Sequence, residues 1–148
     1  SKIGLESTII DLTNKPKILR PGSITPEKIS KVLKKKVKIY KNTKEIKSPG
    51  QLRVHYSPGI PIKMNKKEVS NKNEALIGFG KKFKKGRKYF NLSKKGSLHE
   101  AANNLYKTLR KIKNSGFKSI SVNKIPNIGI GIAINDRLKR ASNKWRLK

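Results

Sequence analysis

Ser97-Leu-His-Glu-Ala-Ala-Asn-Asn-Leu-Tyr-Lys-Thr-Leu-Arg-Lys-Ile-Lys-Asn-Ser-Gly-Phe-Lys-Ser-Ile-Ser-Val122 carries the plainest fold signal in the chain. Ser97 and Glu100 stand at capping-box spacing: the hydroxyl can accept from the third helical N–H while the carboxylate reaches back to the cap. Leu98, Ala101, Ala102, Leu105, Leu109 and Ile112 then recur at helical spacing, which predicts one apolar stripe turned to a core. Gly116 stops the helix, because glycine accepts the left-handed conformation that ends one. Residues 117–122 alternate and include β-branched side chains, so they read as a strand. A helix running straight into a strand is a building unit of α/β folds. His99, beside the cap, reads as a surface residue rather than a ligand.

Working outward, residues 60–64, 75–79 and 88–92 are further strand candidates. Between the last two lies Lys81-Lys-Phe-Lys-Lys-Gly-Arg-Lys88, either a solvated lysine loop or a site for an anionic surface. Downstream, Pro126 and Gly129-Ile-Gly131 precede a helix over about residues 132–143. Ile134, Leu138, Ala141 and Trp145 share its expected buried face, and Asp136 can pair with Arg140 one turn on. Glycines at a strand-to-helix junction invite a phosphate-loop reading. A dinucleotide fingerprint needs a third glycine and an acid on the next strand, however, and neither is in place. Close packing of helix on sheet is the expected use of Gly129 and Gly131.

The amino-terminal part has its own pattern. Residues 6–12 and 17–20 read as two strands of a hairpin turning at Asn14-Lys15-Pro16. Pro21-Gly22 breaks the second. Thr25-Pro26-Glu27 opens a helix, with a capping hydroxyl, a proline in the first turn and an acid facing the dipole. Ile29, Val32 and Leu33 give that helix an apolar face, and residues 37–40 look like a third strand. This opening piece is too small to hold a core alone. Residues 41–59 lose all periodicity, and within them stands Ser48-Pro-Gly-Gln-Leu-Arg-Val-His-Tyr-Ser-Pro58. Its prolines and glycine forbid a long helix or a central strand. An irregular segment bearing His55 and Tyr56 is either a linker packed on its neighbours or a binding loop.

Composition narrows the classes. The 148 residues include no cysteine, which excludes disulfides and thiolate metal sites. His55 and His99 are far apart, so no His-rich metal motif is visible. No apolar run is long enough for a membrane span and no signal peptide opens the chain, so the expectation is a soluble, cytoplasmic protein. The start at Ser1, with a strand pattern almost at once, is read as a piece of a longer protein. Lys and Arg number 38 against 8 Asp and Glu, a formal net charge of +30. Such a field attracts polyanions in a salt-dependent way. An AT-rich genome, which inflates Lys, Asn and Ile, is the competing explanation. Aromatics at 6% are too sparse for an obvious base-stacking surface.

Three stretches together resemble the threonylcarbamoyl-AMP synthases, in the two-domain form with a YrdC-type catalytic domain. Gly4-Leu-Glu-Ser-Thr-Ile-Ile-Asp-Leu-Thr13 with Ile18-Leu-Arg-Pro-Gly22 is similar to the end of that domain. Ser48-Pro-Gly50 through His55-Tyr-Ser-Pro58 is similar to its linker, although Gln51 and Leu52 depart from the common pattern. Gly129-Ile-Gly-Ile-Ala-Ile-Asn-Asp-Arg-Leu-Lys-Arg-Ala141 is similar to the signature near the end of the C-terminal domain. The resemblance implies residues 1–41 as a remnant of the catalytic domain and residues 42–59 as a linker over its active site. Residues 60–148 would be a Rossmann-like α/β domain.

It also implies a reaction of L-threonine, bicarbonate and ATP that yields threonylcarbamoyl-AMP and pyrophosphate, on the way to a modified adenosine in tRNA. By resemblance, Ser7 contacts threonine and Arg20 contacts the nucleotide. His55 and Tyr56 reach over the cleft onto ATP. Mg2+ is implied alongside ATP, with no protein ligands identified, and no residue is assigned to the chemical step. The family's lysine- and arginine-bearing motif falls upstream of residue 1, so the chain by itself is expected to be inactive. Two rivals remain: a basic RNA-binding accessory module without catalysis, and a nucleotide-binding regulator resting on Gly129 and Gly131.

Overall fold

The computed structural model describes residues 4–40 and 58–146, with side chains to Asn143. In chain order the elements are β1 (Ile9–Asp11), β2 (Lys17–Arg20), α1 (Pro26–Leu33), β3 (Lys38–Ile39), β4 (Ile62–Lys63), β5 (Glu74–Gly78), β6 (Tyr89–Asn91), α2 (Leu98–Asn114), β7 (Ser119–Val122) and α3 (Ile130–Arg146). The fold is mixed α/β with a parallel sheet. β2 spans residues 17–20 as expected and β5 keeps its expected length one residue earlier, whereas β1, β3, β4, β6 and β7 are shorter than their sequence patterns.

The larger sheet has the order β4-β7-β5-β6, and all three pairings are parallel. β5 is buried along its whole length, as expected of a central strand covered on both faces. Alternation splits its side chains. Ala75 and Ile77 join Ile120 and Val122 of β7 in the main core, against Leu105, Leu109 and Ile112 of α2 and Ile134 and Leu138 of α3. Burying each of the Ile, Leu and Val side chains is worth roughly 1.5–3 kcal/mol. Glu74, also fully buried, takes the opposite parity, in register with Ser119.

The Ser97 hydroxyl caps α2 by accepting from the Glu100 N–H at 3.1 Å. Glu100, however, does not close the expected capping box. Its carboxylate accepts from Ser93 Oγ at 2.7 Å, and Ser93 Oγ accepts the Ser97 N–H at 2.9 Å. Buried Ser93 thus relays the contact. At the far end Ser115 follows the last helical residue and Gly116 turns with φ +89°.

The smaller sheet has the order β1-β2-β3. β1 and β2 form the expected antiparallel hairpin, with an irregularity between Ile9 and Ile10, and β3 runs parallel to β2. α1 begins after the Thr25 cap and ends at Lys34 in the left-handed region. Ile18, Ile29 and Val37 form a small cluster of their own. Val32 does not share it: it is 80% exposed, contrary to its assignment to the apolar face. So small a cluster covers only the arc around Ile29 and Leu33, and Val32 lies about 100° around the helix axis from Leu33.

Candidate functional site

Arg20 closes β2, and its register with Ile9 lets residues 6–8 run on past the strand end. Its Nε donates to the Ser7 carbonyl at 3.0 Å, and Nη2 lies 3.5 Å from Ser7 Oγ. The two residues expected from the sequence to serve the substrates are therefore adjacent. Arg20 is buried, whereas Ser7 is exposed. A guanidinium held by its neighbour is a planar fork suited to carboxylate or phosphate oxygens.

The surrounding backbone is tightly knit. A Cβ on Gly22 would sit 2.5 Å from the Thr8 nitrogen and 2.6 Å from the Glu6 carbonyl oxygen. Only glycine lets the Pro21-Gly22 turn lie flat on residues 6–8. The Thr8 hydroxyl brackets the next residues, donating to the Ile24 carbonyl at 2.8 Å and accepting the Ile24 N–H at 3.2 Å.

This knot is gripped from the other end of the chain. Arg137 of α3 has its side chain 1% exposed. Its Nη2 donates to the Glu6 carbonyl at 3.0 Å and its Nη1 donates to the Pro21 carbonyl. Arg140 donates through Nη2 to the Leu19 carbonyl at 3.3 Å. Two arginines on one helix therefore hold the carbonyls on both sides of Arg20 and the one just before Ser7. Asp136 orients both, 2.8 Å from Arg140 Nε and 3.2 Å from Arg137 Nη1. The Glu6 carboxylate accepts from the Tyr106 hydroxyl of α2 at 2.7 Å and pairs with Arg137 Nε at 3.6 Å. Leu5 is buried in the main core, so the segment before Ser7 is anchored on the larger sheet's helices.

The expected Asp136–Arg140 pair is present. Arg137 was missed, although a signal existed: it falls on the stripe of Ile130, Ala133, Ile134, Leu138 and Ala141, where an arginine must be paired if buried. Gly131 does serve close packing, but not of helix on sheet. A Cβ there would lie 1.9 Å from the Pro126 carbonyl oxygen and 3.3 Å from Leu98 of α2. α3 also starts earlier than expected, at Ile130. His99 is exposed. His55, Tyr56 and the Trp145 side chain lie outside the described residues, as does the linker motif apart from Pro58.

Glu74 was also missed, because only the strand pairing assembles its partners. Its carboxylate accepts from Ser121 Oγ at 2.5 Å, Ser119 Oγ at 3.1 Å and the Ser70 N–H at 3.1 Å. Lys63 lies 3.7 Å away. Burial pushes this carboxyl up, but those hydrogen bonds outweigh it, and the net direction is down. A fully satisfied carboxylate of this kind braces the sheet. Among the described residues no group of three or more His, Cys, Asp or Glu side chains could hold a metal ion. No described helix is long and apolar enough to cross a membrane.

A family model described as threonylcarbamoyl-AMP synthase, C-terminal domain, matches residues 24–143. The threonylcarbamoyl-AMP synthase of Pyrococcus abyssi is 33% identical, over 96% of this chain and 47% of its own length. That of Bacillus subtilis is 28% identical, over 95% of this chain and 46% of its own. Among solved structures, P. abyssi Sua5 complexed with L-threonine matches with a TM-score of 0.79 at 28% identity, covering 97% of this chain and 47% of that one. A variant of the same protein, with an adjacent histidine and tyrosine replaced by alanine, matches with a TM-score of 0.71 at 28% identity, over 96% and 46%. The chain spans about half the length of the curated relatives it matches. With residues 24–143 covered by the family model, the chain belongs to the threonylcarbamoyl-AMP synthase C-terminal domain family.

Proposed function

We propose that the chain is the C-terminal portion of a threonylcarbamoyl-AMP synthase. Residues 1–41 end its catalytic domain, residues 42–59 cross the active site, and residues 60–148 form a Rossmann-like domain. Ser7 contacts L-threonine and Arg20 contacts ATP. In the reaction, L-threonine's amine and bicarbonate form a carbamate with loss of water, and an oxygen of that carbamate, not of the α-carboxylate, attacks the α-phosphate of ATP. The bond from the α-phosphate to the pyrophosphate breaks, and pyrophosphate leaves with that bond's electron pair. Arg20's task is positioning and charge stabilisation, which dominate phosphoryl chemistry. The observation that carries the reading is the Arg20–Ser7 contact at 3.0 Å: one site residue fixes the backbone that presents the other.

His55 and Tyr56, the chain's single His-Tyr pair, cover the nucleotide and exclude water from a labile carbamate. The P. abyssi protein likewise has a histidine followed directly by a tyrosine, the pair replaced by alanine in its variant. Mg2+ would enter with ATP, held chiefly by the nucleotide's phosphates and water. An adenosine of the unmodified tRNA is the downstream acceptor, and the +30 charge suits contact with tRNA.

The test is pyrophosphate release by a polypeptide that joins this chain to its catalytic half, with L-threonine, bicarbonate and ATP. Release should need all three substrates and should be absent for the 148-residue chain alone. Release that ignores threonine would overturn the proposal. A purely RNA-binding role predicts instead tight, salt-sensitive tRNA binding, with no effect of changing Arg20 or His55 on turnover.

A further inference from the structure

The sequence's cationic loop encloses a second, separate feature that shares no residue with the Ser7–Arg20 knot. Gly80, Lys81, Phe83 and Gly86, with Tyr89, Asn91 and Lys94, line a cavity of about 460 Å³ that follows the end of β5 and flanks β6. The volume lies in the range of small-molecule sites. Lys81, Lys85 and Lys94 line it, and no described carboxylate pairs with any of them. Lys84 also faces it but is committed, paired with Glu68. The Tyr89 hydroxyl donates to the same Glu68 at 3.0 Å. The hydrogen bond from Lys84, before all else, holds Glu68 down to about 2, so its charge is already spent on a local pair.

The walls are built rather than incidental. A Cβ on Gly78 would lie 2.1 Å from the Phe83 ring, so glycine at the end of β5 lets that ring seat over the strand. Phe83 meets Tyr89 edge-on, with centroids 6.0 Å apart and planes at 88°. Asn91 at the end of β6 donates to the Gly80 carbonyl at 2.8 Å and fixes the opposite rim. Perpendicular rings give no stacked platform for successive bases. A concave site with three uncommitted ammonium groups suits a compact ligand bearing several anionic oxygens.

We propose that this cavity binds a free, multiply charged phosphate compound, held by Lys81, Lys85 and Lys94. Calorimetric titration of the full chain with inorganic tripolyphosphate tests it. Binding should saturate at one site. Replacing Lys81, Lys85 and Lys94 together by glutamine should weaken it by about tenfold or more, because each ammonium faces the ligand at close range. Replacing Lys107, Lys111 and Lys118 removes the same charge from elsewhere and should change affinity by no more than about twofold. Glu68→Gln, which frees Lys84, should tighten binding. Equal losses from the two triple variants would overturn the proposal, as would a lack of saturable binding. It would also fall if the cavity triple variant weakened binding of a single-stranded RNA and left tripolyphosphate unaffected.

Discussion

Arg137 reaches from α3 to the main-chain carbonyl of Glu6 at 3.0 Å, across 131 residues of sequence. Its Nη1 donates to the carbonyl of Pro21. The residues so held flank Ser7 and Arg20, which makes the C-terminal helix a clamp on the candidate site. Arg137→Met should leave two carbonyls without their charged donor and cost about 2–4 kcal/mol. Arg137→Lys should recover only part of this, since one ammonium cannot copy the planar fork. Denaturant unfolding measures both, and unchanged midpoints would show that the clamp bears no load.

Gly131 and Gly129 separate two reasons for glycine. A methyl at Gly131 would collide with the Pro126 carbonyl oxygen at 1.9 Å, so Gly131→Ala should destabilise by about 2 kcal/mol or more. Gly129 has open space around it and a φ of +50°. Gly129→Ala should therefore cost only the left-handed conformational penalty, about 1–2 kcal/mol. Thermal unfolding of the two variants should rank them in that order.

Glu74 ties stability to acid. Its folded-state carboxyl lies below its ordinary value, with burial opposed by hydrogen bonds from Ser121, Ser70 and Ser119. Its contribution is thus complete above the ordinary carboxylate value and is lost as pH falls through the lowered folded value. Glu74→Gln should cost about 1–3 kcal/mol at neutral pH, and the deficit should shrink on acidification. A deficit independent of pH would mean that the carboxylate's charge is not what braces β5 and β7.

Much of this architecture is local and was therefore legible. The Ser97 cap, the stripe through Leu105 and Ile112 and the stop at Gly116 depend on neighbours within a turn or two. The Ser7 and Arg20 assignments came from resemblance, since neither an exposed serine nor a strand-end arginine announces a site. What stayed hidden depends on distant chain. The order β4-β7-β5-β6 brings Ser119 and Ser121 to Glu74, and no periodicity in either strand records that. Ser93 intercepting Glu100 is invisible for the same reason. Val32 failed because periodicity states which side is apolar but not how far the neighbouring core extends. Arg137 was legible in principle, as a cation inside an apolar stripe.

The site account is tested most directly by steady-state pyrophosphate release in the joined, full-length polypeptide, comparing Ser7→Ala and Arg20→Lys with the parent. Ser7→Ala should raise KM for L-threonine by about tenfold, the loss of roughly one hydrogen bond to a charged group, with little change for ATP. Arg20→Lys should act chiefly on ATP and on kcat, because a point charge replaces a bidentate fork. Parent-like kinetics in both variants, with folding intact, would contradict the claim that this knot touches the substrates.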